Sequence, residues 1–282
     1  MTDYAYRLLN VFTLDGNRLS GNPLCVFEDG RGLDGATMQA LARQFNLSET
    51  TFIFPSEKAS AAVRIFTPNY EMPFAGHPTL GTAHVVRAVR GAGDAVTLEM
   101  KAGVIPVTAH GDHWTLEANA PRYREVDATP YQLAEMLGLR ADEVLDGARW
   151  VNTGSEQLVI PLRSPDVVCR CRPVAMLLER YARVDTTRYR AYVFVEMGGV
   201  DVRARFFFQA TTTMMEDPAT GSACANLGGW FLARNTALPL TRVIRQGDEI
   251  GRPSRLLLRV DADRRIFVSG QVIELGRGVV AL

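Results

Sequence analysis

The chain has 282 residues, enough for two ordinary domains, and with 47% hydrophobic and 22% charged residues it has the balance of a globular protein. Its 31 basic and 31 acidic side chains cancel and no basic run stands out, which argues against a nucleic acid or an acidic membrane as partner. No apolar run reaches membrane-spanning length, the first residues lack the apolar core of a secretory signal, and the four cysteines (25, 169, 171 and 224) show no CxxC or disulfide-like spacing, so reduced thiols and a cytoplasmic location are expected.

In chain order, the first strong pattern is at 36–46, where Met38, Leu41, Ala42 and Phe45 fall on one face of a helix. It runs into NLSETTFIFP at 46–55, a strand uncharged except for Glu49 at its entry, and then a strand around Arg64-Ile-Phe-Thr. PFAGHPTLGTAH at 73–84 reads as a tight turn leading into a helix. A domain boundary is expected near 117–128, around Pro121, dividing the chain into 1–118 and 119–282. The helix that follows has Thr129 as N-cap, Pro130 at its first position and Gly138 as its stop. A helix at 174–183, a strand at 189–197 and a strand at Arg205-Phe-Phe-Phe come next. Cys169-Arg-Cys171 reads as strand with two free thiols on one face. The tail, RIFVSGQVIELGRGVVAL, reads as a closing hairpin, and its last strand is compatible with joining the first domain.

The order helix, strand, strand, tight turn, helix therefore occurs twice. His77-Pro78-Thr79-Leu80-Gly81-Thr82-Ala83 matches Asp217-Pro218-Ala219-Thr220-Gly221-Ser222-Ala223 at an offset of 217 − 77 = 140. We read this as an internal duplication: two similar α/β (α+β) domains, each a curved sheet around a central helix. Proline at the first helical position costs nothing, because its missing N–H would be unpaired there. Asp217 is then an N-cap, and the small residues after it let the helix sit tightly in a sheet. Each helix start offers free N–H groups and the positive end of a dipole, which suits a small carboxylate.

Glu49 is the sole charged side chain between Arg43 and Glu57. In the second half Tyr189 stands near the matching position and Asp185 does not align, so one half supplies a carboxylate that the other lacks. In apolar surroundings such a carboxylate should have a raised pKa, suited to proton transfer near neutral pH. Taken singly, Asp217 reads as a cap and His77 as a packed turn residue, but their equivalent positions in a repeated motif favour function; Glu49, outside that motif, reads on residue type alone as an exposed loop acid or a cap.

The segments SGNPLCVF (20–27), NLSETTF (46–52), RIFTPNYEMPFAGHPTLGTAH (64–84), EDPATGSACA (216–225), RQGDEIGRPS (245–254) and VSGQVIELGRGVV (268–280) together resemble the phenazine-biosynthesis PhzF-like isomerase family, related in fold to the diaminopimelate epimerases. The resemblance implies two similar domains with a cleft between them and a cofactor-independent isomerase that moves a proton along a small cyclic acid, of the trans-2,3-dihydro-3-hydroxyanthranilate isomerase type. The family's catalytic Glu, His and Asp fall on Glu49, His77 and Asp217. Its substrate-contacting Gly and Ser fall on Gly76 and Ser222, and Gly221 is placed beside them on the carboxylate. Cys25 departs from a small aliphatic. A small-molecule carboxylate is the expected partner, with no metal, and monomer and homodimer are both compatible with the sequence.

Two other readings are open. A two-base epimerase or racemase of an amino acid would place a thiol at each helix start, but Pro78 and Pro218 stand there and Cys224 lies further along on one side. A non-catalytic small-molecule-binding protein would be separated by turnover. No phosphate-loop motif is present. His77, His84, His110 and His113 make no ligand set. With only Lys58 and Lys101 in the chain, a lysine-bound pyridoxal phosphate is disfavoured.

Overall fold

The computed structural model describes residues 1–210 and 213–282. It is a mixed α/β fold, rich in strands and with few helices. Among the described residues no helix is long and apolar enough to cross a membrane. The chain divides into two compact units, Met1–Glu117 with Ser269–Leu282, and Ala118–Val268.

The first unit runs β1 (Asp3–Val11), β2 (Asn22–Phe27), α1 (Gly35–Phe45), β3 (Glu49–Phe54), β4 (Ala61–Phe66), β5 (Glu71–Met72), α2 (Gly76–Arg90), β6 (Ala95–Met100), β7 (Gly103–His110) and β8 (His113–Glu117). The Asp34 carboxylate accepts from the Thr37 N–H to start α1, and Asn46 closes it in the left-handed conformation. Met38, Leu41 and Ala42 bury one face of α1 against Phe27, Phe52 and Phe66, with the Phe27 and Phe52 rings stacked 4.7 Å apart. Helix α2 packs on β1, β2, β3, β6, β7 and β8 and is buried from His77 to Ala83. Gly81 permits this, because a Cβ there would lie 2.4 Å from Leu24 Cδ2 and 3.0 Å from Val11 Cγ2.

The second unit contains β9 (Arg122–Arg124), α3 (Pro130–Leu137), β10 (Arg149–Asn152), β11 (Glu156–Pro161), α4 (Pro165–Arg170), α5 (Ala175–Tyr181), β12 (Arg190–Gly198), β13 (Asp201–Ala210), β14 (Thr213–Asp217), α6 (Gly221–Ala233), β15 (Leu240–Gln246) and β16 (Ser254–Val260). Thr129 and Gln132 form a reciprocal capping box at the start of α3. Its apolar face, with α4 and α5, covers Leu158, Ile160, Ala191, Val193 and Phe207. Helix α6 is buried almost all round, which its Gly and Ala content permits.

The two units use one series of pairings. In the first, β1–β2 is antiparallel, β2–β3 parallel, β3–β4 and β4–β5 antiparallel, β4–β6 parallel and β6–β7 antiparallel. In the second, β10–β11, β11–β12, β12–β13, β13–β14, β13–β15 and β15–β16 repeat that order. A two-pronged ion pair recurs as well. Arg64 Nε and Nη2 meet Glu71 at 2.7 and 2.8 Å, and Arg205 Nε and Nη2 meet Glu216 at 3.0 and 2.7 Å.

This geometry corrects the sequence alignment. Glu71 is opposite Phe66, as Glu216 is opposite Phe207. Gly76 and Gly221 each open a helix, after Ala75 and Thr220. The structural offset is therefore 221 − 76 = 145, matching Glu71-Met72-Pro73-Phe74-Ala75-Gly76-His77 to Glu216-Asp217-Pro218-Ala219-Thr220-Gly221-Ser222. His77 corresponds to Ser222, and Asp217 to Met72. The offset of 140 arose because P-x-x-G-[S/T]-A recurs one turn further along α2. Neither proline is at a first helical position, since Pro78 is third in α2 and Pro218 precedes α6; Thr220, not Asp217, is the N-cap residue.

Two further expectations change. The tail is one strand, β17 (Ile266–Ala281), paired antiparallel with β1 around a bulge at Leu8/Leu9. Its glycines make room for rings instead of a turn: a Cβ on Gly270 would lie 2.2 Å from Phe12 Cδ1, and one on Gly278 2.5 Å from the Tyr6 hydroxyl. Cys169 and Arg170 end α4 and Cys171 caps it, so this stretch is not a strand.

Candidate functional site

In the first unit the structure brings Glu49 and His77 together. Glu49 opens β3 opposite Leu24 of β2, and His77 is the second residue of α2. The start of α2 and the start of β3 converge so that His77 Nε2 lies 3.1 Å from Glu49 Oε2. The side chains are 7% and 14% exposed, and the two facing atoms are themselves buried. Burial pushes the His77 pKa down to about 3, against a smaller opposing pull from its hydrogen bond with the Pro23 backbone. The ring is therefore neutral near pH 7. Glu49 is neither an exposed loop acid nor a helix cap. Gly76 is the first residue of α2, a position whose N–H has no acceptor inside the helix.

In the second unit Asp217 ends β14. Its Oδ2 accepts the Thr220 hydroxyl at 2.5 Å, and its backbone carbonyl accepts from Gln246 Nε2 at 2.8 Å. Gln246 Nε2 also reaches Thr220 Oγ1 at 3.0 Å. Gly247, at φ +82°, lies so close that a Cβ would be 2.6 Å from the Pro218 carbonyl oxygen. Asp217 is thus part of a fastened turn ahead of α6. Gly221 and Ser222 are the first two residues of that helix, and Ser222 Oγ accepts from Gln157 Nε2 at 2.8 Å.

The matched pairings also locate the counterpart of Glu49. Phe52 is opposite Arg64, and Val193 is opposite Arg205. Three residues earlier stand Glu49 and Arg190, one position beyond the Tyr189 that the sequence alignment suggested. One unit carries a carboxylate where the other carries a guanidinium.

The remaining candidates lie elsewhere. Cys224 is fully buried on α6 and burial raises its thiol pKa strongly, a poor acid–base group. His84 Nδ1 accepts from Trp114 Nε1 at 3.3 Å, and His110 and His113 face each other across the β7–β8 turn.

The family model for phenazine biosynthesis-like proteins, PhzC–PhzF, matches residues 9–278. The chain belongs to the PhzF family. It is 39% identical to an uncharacterized isomerase of Pasteurella multocida, over 99% of this chain and 94% of that one. It is 34% identical to the trans-2,3-dihydro-3-hydroxyanthranilate isomerase of Pseudomonas aeruginosa, over 86% of each chain. The crystal structure of a PhzF-family protein from Bacillus anthracis has the same fold, with a TM-score of 0.84 at 24% identity and full coverage of both chains.

Within this PhzF-family chain, the segments that carry the resemblance hold the candidate residues in place. SGNPLCVF supplies the Pro23 backbone for His77, and RQGDEIGRPS supplies Gln246 and Gly247 for the Asp217 turn. The sequence reading did not assign Gln246, although it lies in a quoted segment. It also missed Gln157, whose position gave no signal because it lies in no motif.

Proposed function

We propose that the protein is a cofactor-independent isomerase that transfers a proton between two carbons of a small cyclic carboxylic acid, of the trans-2,3-dihydro-3-hydroxyanthranilate type, with Glu49 as the proton carrier. The observation that carries this reading is the buried contact of Glu49 with a neutral His77. A cationic partner such as arginine would hold a carboxylate low and weaken it as a base. Neutral His77 donates its one ring proton to the Pro23 backbone carbonyl, so its Nε2 faces Glu49 as an acceptor for the proton that the carboxyl carries. Glu49 abstracts an acidic proton from the activated carbon and returns it elsewhere on the same face of the substrate. In this scheme His77 and Asp217 position the substrate amine or hydroxyl and carry the compensating proton. The N–H groups at Gly76 and Gly221, with the Ser222 hydroxyl, hold the carboxylate.

That all these residues act on one substrate is inferred from the family motifs, and the repeated series of pairings supports an origin by duplication. The isomerase names of the relatives fit this chemistry. A two-base epimerase fits less well. It needs an acid–base group on each side of the carbon, whereas Arg190 stands where the second carboxylate would be and Cys224 is enclosed.

The test is incubation with trans-2,3-dihydro-3-hydroxyanthranilate in deuterated water. The expected result is conversion, with solvent deuterium at a product carbon. Binding of the acid without conversion or exchange would assign the protein to the non-catalytic binders.

A further inference from the structure

We infer that Gln157 and Asn226 are positioning residues that fix the Ser222 hydroxyl as a hydrogen-bond donor toward a substrate carboxylate; this rests on the reading above, in which Ser222 meets that group. The polarity of the chain can be followed from one backbone atom. The Thr153 N–H, which can only donate, lies 2.9 Å from Asn226 Oδ1, and the Thr153 hydroxyl donates to the same oxygen at 2.7 Å. Asn226 Nδ2 must then donate, and it does so to the Ser155 carbonyl at 2.8 Å and to Gln157 Oε1 at 2.6 Å. With Oε1 so occupied, Gln157 turns Nε2 toward Ser222 Oγ at 2.8 Å. The serine oxygen is an acceptor in this contact. Its own proton has no acceptor on Gln157 and points elsewhere.

The first unit shows that the fold has no need of this chain. At the structural offset of 145, Asn226 corresponds to Gly81, which meets the Leu24 side chain instead. Gln157 and Asn226 are both fully buried, and buried amides are costly unless satisfied. The second unit therefore replaces an apolar contact with a directed polar chain, and its open end is Ser222, partly exposed at the second position of α6.

Gln157→Glu is the sharpest test. It keeps the oxygen that accepts from Asn226 and replaces the Nε2 donor with an acceptor. Ser222 then turns its proton toward residue 157 and away from the ligand. Binding of 3-hydroxyanthranilate is followed by calorimetry in wild type, Ser222→Ala, Gln157→Glu and the double variant. Loss of one hydrogen bond to a charged group should raise Kd about tenfold or more in each single variant. The double variant should bind no more weakly than Ser222→Ala, because Gln157 acts through Ser222. Gln157→Met serves in place of Gln157→Glu should the buried charge prevent folding. Wild-type affinity in both Gln157 variants overturns the proposal, as do losses that multiply in the double variant. Wild-type affinity in Ser222→Ala overturns the carboxylate reading itself, and this proposal with it.

Discussion

His77 Nε2 and Glu49 Oε2 face each other at 3.1 Å with both atoms buried, one from the first turn of a helix and the other from the first residue of a strand. Glu49→Gln keeps the size of the side chain and its reach to His77 and removes its basicity. Loss of a general acid–base group costs about 10²–10⁴ in rate, and more where one group makes both transfers. Solvent deuterium should no longer enter the product. The denaturant midpoint should change little, since a neutral amide is easier to bury than a carboxylate. Near wild-type exchange in this variant would make Glu49 structural.

The same pair predicts an acid limit to stability. Burial holds the folded-state pKa of His77 near 3, against about 6.5 for an unfolded histidine. Between those values the unfolded chain binds the proton and the folded protein does not. Stability contributed by neutral His77 is thus complete above about pH 6.5 and is lost as pH falls toward 3. Urea midpoints should fall across that window in wild type and fall less steeply in His77→Gln. Equal slopes in the two proteins would show that the ring is not held neutral by burial.

Legibility in the sequence followed the range of the interactions. Helix α1 could be read from the apolar face of Met38, Leu41 and Ala42, and helix α3 from its cap, Thr129, which lies within three residues of the group it bonds. Glu49 and His77 could be named singly, but their contact joins residues 28 apart and no local spacing encodes it. Gly270 and Gly278 misled the reading of the tail, because a glycine that admits a ring looks like a glycine that makes a turn. The recurrence of P-x-x-G-[S/T]-A was aligned at an offset of 140 where the two helix starts give 145, since small residues recur along α2. The ion pairs Arg64–Glu71 and Arg205–Glu216 fix the register, and they join strands.

Those two ion pairs should differ in weight. Arg205 and Glu216 are 5% and 9% exposed, and Arg205 Nη1 also donates to the carbonyls of Val168, Cys169 and Cys171. Arg205→Met strands a buried carboxylate and three carbonyls, at a cost of about 3–5 kcal/mol. Arg64 is 35% exposed, so Arg64→Met should cost about 1 kcal/mol or less through its charge. Chemical denaturation of the two variants compares them directly. Equal losses would mean that the buried pair is replaceable.

Gly247 ties the loop after β15 to the turn that carries Asp217, and this makes its substitution informative about site and fold together. It is left-handed at φ +82°, and an added Cβ would lie 2.3 Å from the Arg252 carbonyl oxygen and 2.6 Å from that of Pro218. Both neighbours are backbone atoms and cannot rotate aside. Gly251 is the internal control, at φ +70° with nothing within 4 Å of a Cβ. Gly251→Ala carries only the left-handed penalty, about 1–2 kcal/mol. Gly247→Ala adds the displacement of Pro218, which moves Asp217 and breaks the Gln246 contact to its carbonyl. We expect Gly247→Ala to be at least about 1 kcal/mol less stable than Gly251→Ala, well within the range of overpacking costs. It should also lose activity by more than its unfolded fraction explains, whereas Gly251→Ala should keep wild-type kcat/KM. Equal stability and equal kcat/KM in the two variants would show that this loop does not hold the Asp217 turn.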